Sequence, residues 1–167
     1  HNLSLRHGGN TVLSGVNLRI TPGEVVALVG ESGCGKSTLL SHLRALVAGQ
    51  VAWCPQLPGL VPVLSAFHNI YAGTLDQHSL LYNLRQLVRP STTEWQRVLD
   101  VAEPLGIGGL LPKSLDQLSG GERQRVNIAR ACIQKRSIFF GDEPVSALDE
   151  FQGERVLKMI IERHHTC

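Results

Sequence analysis

Residues 30–38 read GESGCGKST and carry the clearest pattern in this 167-residue chain, G-x-x-x-x-G-K-S. The apolar run EVVALV precedes it at residues 24–29, and the helix-like segment LLSHL follows at residues 39–43. A strand buried on both faces, a glycine-rich turn and a helix in this order are typical of a phosphate-binding loop, whose backbone N–H groups and helix N-terminus face an anion. We therefore predict nucleotide binding here. The alternative is a glycine-rich turn that only resembles the pattern.

The polar side chains of this loop have defined roles in the predicted chemistry. The Lys36 ammonium can reach the β- and γ-phosphates, and the Ser37 hydroxyl can bind Mg²⁺. Cys34 is interpreted as a small residue that fits the loop. The loop residues that we expect to contact the nucleotide are Gly30, Ser32, Gly33, Cys34, Gly35, Lys36, Ser37 and Thr38.

Two adjacent carboxylates follow a second apolar run, SIFFG at residues 137–141. Ligands of α/β sheets bind at the carboxyl ends of the strands, where Asp142 and Glu143 would lie. Adjacent residues of an extended chain point to opposite sides, so the two carboxylates cannot share one role. Asp142 suits a Mg²⁺ site, and Glu143 is left to polarise a water molecule. Taken alone, the pair would be an acidic turn at the end of a strand, but the phosphate loop upstream favours the catalytic interpretation.

The apolar pattern predicts an α/β architecture. The runs at residues 24–29 and 137–141 are separated by helical material, which predicts parallel strands. Apolar residues at even spacing within the first 20 residues predict a small antiparallel β part. Helices are expected at three places: after the capping-box spacing of Ser91 and Glu94, along the apolar face of residues 126–133, and from about Asp149.

The composition excludes several classes of protein. The chain has 43% hydrophobic and 18% charged residues, which is typical of a globular protein. Its 16 basic and 14 acidic residues give a net charge of +2, too even to attract nucleic acid through bulk electrostatics. No apolar run approaches the roughly 20 residues that cross a bilayer. The four cysteines share no C-x-x-C spacing, so we expect reduced thiols.

Residues 118–125 read LSGGERQR and predict a second anion site, remote in sequence from the first. Ser119 suits a helix N-cap, and Gly120 and Gly121 leave backbone N–H groups accessible at the helix start. A helix cap alone would not need two consecutive glycines. We therefore expect this helix N-terminus to bind an anion as well.

This stretch resembles the LSGGQ/E signature of the nucleotide-binding domain of ABC-type ATPases. Two more stretches resemble motifs of that family in the expected order. Gln56, in WCPQ at residues 53–56, resembles the glutamine of the Q-loop, and SALD at residues 146–149 resembles the D-loop. The resemblance covers nearly the whole chain, and it is closest to the ATPases of importers.

The resemblance implies a P-loop NTPase fold with a RecA-like core, a small antiparallel β part and an inserted helical subdomain. It also implies a head-to-tail pair of domains with two ATP molecules between them. Each ATP would lie on residues 30–38 of one copy and be closed over by Ser119, Gly120 and Gly121 of the other. For hydrolysis, the resemblance implies Glu143 as the general base, together with Gln56 and Lys36. For Mg²⁺ binding, it implies Ser37, Gln56 and Asp142.

We expect residues 1–167 to form one nucleotide-binding domain, with residues 1–56 and 118–167 as its core and residues 57–117 as its helical subdomain. Its C-terminal end is expected to be incomplete, because the chain stops before the strand that would carry the family's switch histidine. The spacing of 20 residues between Lys36 and Gln56 is also shorter than the family shows. For both reasons we expect this segment alone to hydrolyse ATP weakly or not at all.

Three histidines, His7, His164 and His165, lie near positions where the family has functional residues. His7 falls where the family has an aromatic residue that stacks on adenine, so it is a candidate nucleotide contact; a histidine of a surface loop is the alternative. His164 and His165 follow Asp149 too closely to be the switch histidine. We expect both at a helix C-terminus, where a cation is mildly favoured.

The resemblance implies an ATPase that powers an ABC transporter. Such a subunit would lie in the cytoplasm, peripheral to the inner face of the cell membrane, and would pair with a second nucleotide-binding domain and with membrane permease subunits. Residues 57–73, especially VLSAFHNI at residues 63–70, resemble the segment on which the permease docks. No nucleic acid partner is expected. The alternatives are a soluble ABC ATPase of DNA repair or translation and a binding module that is gated by ATP without hydrolysing it.

Overall fold

The computed structural model describes residues 3–7, 10–56 and 59–165. The chain divides into two compact units, His1–Val51 and Ala52–Cys167. No helix in the part of the chain that the structure describes is long and apolar enough to cross a membrane. Each unit carries part of the predicted site, and the helices and strands of that unit position its part.

The described residues of the first unit form two strands and one helix, which are β1 (Leu3–His7), β2 (Asn10–Val16) and α1 (Lys36–Leu46). The strands are antiparallel, with Leu5 opposite Leu13. α1 begins inside the phosphate loop and buries Leu39. The antiparallel β part and the helix after the loop are thus confirmed, although β2 ends at Val16 and residues 18–20 form no strand.

From Val51 onward the described residues form two strands and five α-helices. These are β3 (Val51–Cys54), α2 (Ala66–Tyr71), α3 (Leu80–Val88), α4 (Thr92–Ala102), α5 (Gly120–Cys132), β4 (Ile138–Gly141) and α6 (Glu150–His165). β3 and β4 are hydrogen-bonded neighbours in one sheet. The strand predicted at residues 137–141 and the three predicted helices are confirmed. The boundaries of the helical subdomain at residues 57 and 117 stay a prediction.

Residues 24–29 form no strand, so the prediction of a strand buried on both faces is wrong. Val25 is 61% exposed and Val29 is 93% exposed. A strand forms only where neighbouring strands bond its backbone N–H and C=O groups. Among the described strands β1 pairs with β2 and β4 pairs with β3, so the run has no partner strand. Its β-branched composition cannot replace that partner.

The core of the second unit lies where α5 packs against α2 and α4. Phe67 and Ile70 of α2, Val98 of α4, and Val126 and Ile128 of α5 are each at most 1% exposed. Burial of one such side chain contributes about 1.5–3 kcal/mol. This packing fixes α5, which is the helix that begins at the predicted signature.

The start of α4 differs in one detail from the predicted capping box. Ser91 Oγ accepts the Glu94 N–H at 3.3 Å, but the Ser91 N–H donates to Gln86 Oε1 at 2.7 Å instead of to Glu94. The buried Glu94 carboxylate accepts the Tyr82 hydroxyl and the Arg97 guanidinium, each at 3.0 Å. A buried carboxylate is stable only with such partners, so the ion pair takes the oxygen atoms that a capping box would use.

Candidate functional site

The phosphate loop of the first unit depends on two glycines with left-handed backbone. Gly33 has φ +81° and Gly35, the N-cap of α1, has φ +99°. A Cβ atom on Gly35 would lie 2.7 Å from Val12 Cγ1 and 3.1 Å from Leu13 Cγ. Gly35 is therefore required by both its backbone angle and its contact with β2. Alternation of left-handed and right-handed residues turns successive N–H groups to one side, which is the geometry of an anion nest.

Lys36 folds its side chain back over this loop. Its ammonium donates hydrogen bonds to the carbonyl oxygens of Gly30 and Glu31, both at 2.8 Å, and lies 3.9 Å from Cys34 Sγ. The cation is thus held within the loop that would receive phosphates. Ser37, the predicted Mg²⁺ ligand, is exposed at the start of α1.

The carboxylates of the second unit lie directly after β4. Asp142 is half-buried, and its N–H donates to the Cys54 carbonyl of β3 at 2.9 Å. Glu143 is exposed, and its carboxylate Oε2 accepts the Gln56 Nε2 amide at 2.8 Å. The structure therefore brings together two of the predicted catalytic side chains, which are 87 residues apart in sequence.

Glu143 holds an uncommon backbone conformation, with φ +51°. A left-handed conformation costs a non-glycine residue roughly 1–2 kcal/mol. The turn is stabilised by Ser146, whose N–H and hydroxyl donate to the Glu143 carbonyl at 3.2 and 3.0 Å. Such conformations persist where surrounding contacts determine them, and they cluster at functional sites.

The predicted signature forms the N-terminus of α5. Ser119 is its N-cap and makes a complete capping box with Glu122: Ser119 Oγ accepts the Glu122 N–H at 3.3 Å, and Glu122 Oε2 accepts the Ser119 N–H at 2.7 Å. The backbone N–H of Ser119, and after it the Ser119 hydroxyl, hold the pKa of the Glu122 carboxyl below its ordinary value by hydrogen bonding to its charged form. The first-turn N–H groups outside this box are those of Gly120 and Gly121.

The two signature glycines have different surroundings. A Cβ atom on Gly120 would meet nothing within 4 Å, whereas one on Gly121 would lie 3.3 Å from the Ala147 carbonyl oxygen and 3.4 Å from Leu148 Cδ2. The signature is thus in contact with the predicted D-loop of its own chain. No contact within the described residues requires a glycine at position 120.

Two polar residues of α5 contribute to the site although the sequence analysis does not identify them. Gln124 Nε2 donates to the Pro144 carbonyl at 2.6 Å and approaches the Glu143 carbonyl at 3.4 Å. Asn127 Nδ2 donates to the Pro55 carbonyl at 3.0 Å. The sequence does contain a pattern that could have identified them. Gln124 and Asn127 lie three residues apart on the apolar face of a predicted helix, where a polar side chain needs a buried hydrogen-bond partner.

The donor chemistry of the predicted Mg²⁺ ligands fits the ion. The described residues contain no group of three or more His, Cys, Asp or Glu side chains that could hold a metal. Mg²⁺ needs no such cage, because it keeps several water molecules and binds one or two carboxylates together with substrate phosphates. Ser37, Gln56 and Asp142 offer a hydroxyl, an amide and a carboxylate oxygen, which are ligand types that this hard cation takes.

The remaining candidates contribute less to the site. The backbone of His7 lies in β1, and those of His164 and His165 end α6, as expected for the last two; all three side chains lie outside the described residues. Burial raises the pKa of the Cys54 thiol to about 12 and that of Cys132 to about 11. Both thiols are therefore neutral at physiological pH and do not act as nucleophiles.

Comparison with protein families identifies the chain. The family model described as ABC transporter matches residues 13–146. The thiamine import ATP-binding protein ThiQ of Vibrio cholerae is 36% identical over 86% of this chain and 65% of its own length. The phosphonates import ATP-binding protein PhnC of Pseudomonas putida is 36% identical over 94% of this chain and 67% of its own length. The chain thus spans about two thirds of each relative.

The alignment with the Pseudomonas protein also tests the chain's internal length. It extends over 183 residues but includes only 94% of the 167 residues of this chain. The relative therefore has residues within the aligned region that this chain lacks. This agrees with the short spacing between Lys36 and Gln56.

Solved structures give the same result at the level of the fold. A dimeric structure of the ATP-binding cassette MJ0796, in a post-hydrolysis state bound to ADP and phosphate, has a TM-score of 0.74 and 25% identity over 94% of this chain and 77% of that one. Another dimeric structure of MJ0796, described as a bacterial ABC transporter cassette, has a TM-score of 0.75 and 26% identity over 95% and 79% of the two chains. The chain therefore belongs to the ABC transporter family, as an importer-like nucleotide-binding domain with the α/β P-loop fold of the ATP-binding cassettes.

Proposed function

We propose that the protein containing this chain hydrolyses ATP to power an ABC importer. The observation that carries this proposal is the 2.8 Å hydrogen bond between Gln56 and Glu143 at the end of β4. It joins a carboxylate that can accept a proton to an amide that can hold a water molecule or a metal ion. The relatives named as import ATP-binding proteins support the direction of transport.

Nucleotide binding is assigned to the first unit. The N–H groups of residues 30–38 and the N-terminus of α1 would hold the phosphates of ATP. The Lys36 ammonium, which bonds two carbonyl oxygens of this loop, would exchange them for β- and γ-phosphate oxygens. Mg²⁺, held by Ser37, Gln56 and Asp142, would neutralise charge on the phosphates.

Hydrolysis is assigned to Glu143. Its exposed carboxylate would take a proton from the water that attacks the γ-phosphorus, while the bond to the leaving ADP oxygen breaks. The Gln56 amide fixes the carboxylate through Oε2, which leaves Oε1 to face the water. The left-handed backbone of Glu143 sets the direction in which this side chain leaves the turn.

The second half of each site would come from another copy. The N–H groups of Gly120 and Gly121 lie outside the capping box of Ser119 and Glu122, so they are available to the γ-phosphate of the partner's ATP. The Ser119 hydroxyl accepts the Glu122 N–H, and its own proton would turn from the Glu122 carboxylate to the same phosphate. The open space above Gly120 gives a nucleotide access to this helix N-terminus.

The permease would dock on the groove between α2 and α3. Within the docking segment expected at residues 63–70, Phe67 and Ile70 are buried in the core and cannot contact a partner. Val63 of this segment is 78% exposed, and Leu64 and His68 line a cavity of about 570 Å³. The same cavity is lined by Leu80 and Leu84 of α3, which are 72% and 50% exposed. Arg85, also on α3, is exposed. A permease helix with apolar side chains and an acidic flank fits this groove.

Phosphate release from ATP tests the proposed activity. In the full-length protein, Lys36→Ala should abolish binding of a fluorescent ATP analogue without a change in melting temperature, because the half-buried cation lies in a loop and contributes little to the core. Glu143→Gln should keep ATP binding but lower kcat by about 10²- to 10⁴-fold, the usual contribution of a general base. Wild-type turnover in Glu143→Gln, or unchanged affinity in Lys36→Ala, would contradict these assignments.

Co-purification with the permease encoded beside the gene tests the docking surface. Leu84→Glu places a carboxylate in the apolar groove and should abolish co-purification while ATP binding stays intact. Leu157→Glu on α6 is the matched control, because Leu157 is 40% exposed and lies outside the groove. Retention of the permease by Leu84→Glu, or equal loss with both variants, would exclude this groove as the docking surface.

A further inference from the structure

One face of α5 is bonded to both backbone segments that carry the catalytic pair. Gln124 and Asn127 are spaced by one helical turn, and they are 8% and 0% exposed. The first bonds the turn that contains Glu143, and the second bonds the segment that contains Gln56. The helix that begins at the signature is thus attached to the pair at two points.

The first point of attachment is the peptide after Glu143. Gln124 Nε2 lies 2.6 Å from the Pro144 carbonyl oxygen and 3.4 Å from that of Glu143. One amide group therefore bonds two successive carbonyls of the left-handed turn. A Cβ atom on Gly141 would lie 2.8 Å from Pro144 Cγ, so the turn also packs closely against the strand that precedes it.

The second point of attachment is the carbonyl before Gln56. Asn127 Nδ2 donates to Pro55 O at 3.0 Å and to Cys54 Sγ at 3.2 Å. Its Oδ1 accepts the Arg130 guanidinium at 3.2 Å. Both ends of the Asn127 amide are therefore used, which fixes its orientation and the position of the chain at Pro55.

We propose that Gln124 is a positioning residue for ATP hydrolysis, and that with Asn127 it fixes the Gln56–Glu143 pair relative to the signature. This inference rests on the proposed function. Gln124 does not touch the substrate; it holds the Glu143–Pro144 carbonyls, and through them the direction of the Glu143 carboxylate. Displacement of a catalytic group by about 1 Å can lower a rate by about 10²-fold.

The arrangement has a consequence for the paired sites. Ser119 to Gly121 would act on the ATP of the partner copy, whereas Glu143 would act on the ATP of its own copy. Gln124 follows Gly121 by three residues on the same helix. A shift of this helix on engagement with the partner's ATP would therefore move the general base of the other site, which couples the two sites through one chain.

A double-mutant cycle on the full-length protein tests this inference. Gln124→Leu keeps the approximate size of the side chain but removes its donor, so kcat should fall about 10- to 100-fold while the KM and the Kd for ATP change less than twofold. In the Glu143→Gln background the same substitution should change the residual single-turnover rate less than twofold, because there is no base left to position. Gln96→Leu, an exposed glutamine of α4, is the control and should leave all values unchanged. Gln124→Met serves as the second variant if Gln124→Leu does not fold.

Two results would overturn the inference while leaving ATP hydrolysis in place. Wild-type kcat in Gln124→Leu would show that the carbonyl bonds do not position the base. An equal fold-loss with and without Glu143 would show a general structural role. Absence of hydrolysis in the wild-type protein with its permease would instead contradict the proposed function itself, and this inference with it.

Discussion

Single residues account for most of what the sequence analysis could identify in the site. The loop at residues 30–38 has a local pattern that predicts phosphate binding from its spacing, whereas the carboxylates at residues 142 and 143 are predicted to be catalytic only because that loop lies upstream. The left-handed angles of Gly33 and Gly35 agree with the reason for expecting glycine there. The left-handed backbone of Glu143 has no sequence signal, because turn contacts with Gln124 and Ser146 determine it.

The two left-handed glycines of the loop should respond differently to alanine. Gly33→Ala should lower the free energy of unfolding by about 1–2 kcal/mol, because only the backbone angle is strained. Gly35→Ala should lower it further, since its Cβ would also overlap Val12 Cγ1 at 2.7 Å. Urea denaturation of both variants measures the difference. An equal loss in the two variants would show that the contact with β2 has no energetic role.

Helices could be predicted where apolar residues recur regularly at helical spacing. Strands could not be predicted where they depend on pairing with segments that are distant in sequence. The apolar face of α5 could be located because Val126, Ala129 and Ile133 recur at helical spacing, and all are buried. The strand expected at residues 24–29 is absent because a strand also needs neighbours. α4 begins where expected, but the Glu94 carboxylate bonds Arg97 instead of the Ser91 N–H. Burial of Glu94 by tertiary packing decides between these two partners.

The capping box of α5 should give stability a defined pH dependence. The pKa of Glu122 is lowered in the folded chain by its bonds with Ser119, so its contribution is present above the unfolded pKa of about 4.3. The contribution is lost as the pH falls through the lower, folded pKa. Glu122→Gln should therefore be less stable than wild type at pH 7, and the difference should shrink below about pH 4. Melting temperatures at pH 3.5 to 7 check this; a difference that grows on acidification would contradict it.

At the scale of the whole molecule, the sequence indicated the order of the motifs along the chain. The phosphate loop belongs to the unit His1–Val51, and the signature, carboxylates and D-loop belong to Ala52–Cys167. The Pseudomonas relative has internal residues that this chain lacks.

In the proposed pair of copies, the phosphate loop and the signature have different functions. A phosphate loop binds nucleotide in many proteins, but only a signature acting from a second chain makes ATP a bridge between copies. If hydrolysis is blocked by Glu143→Gln, ATP should persist in that bridge, and ligand-linked association should shift the full-length protein toward dimer. Ser119→Arg in the same chain places a bulky side chain at the N-terminus of α5.

Sedimentation of these variants with and without MgATP tests the composite site most directly. Glu143→Gln should be monomeric without nucleotide and dimeric with MgATP, whereas Glu143→Gln combined with Ser119→Arg should stay monomeric with ATP bound. Thr93→Arg, on the exposed surface of α4, controls for the added charge and should dimerise like Glu143→Gln alone. A monomeric Glu143→Gln protein with ATP bound, or a dimer of the Ser119→Arg double variant, would contradict the claim that the signature acts on the partner's ATP.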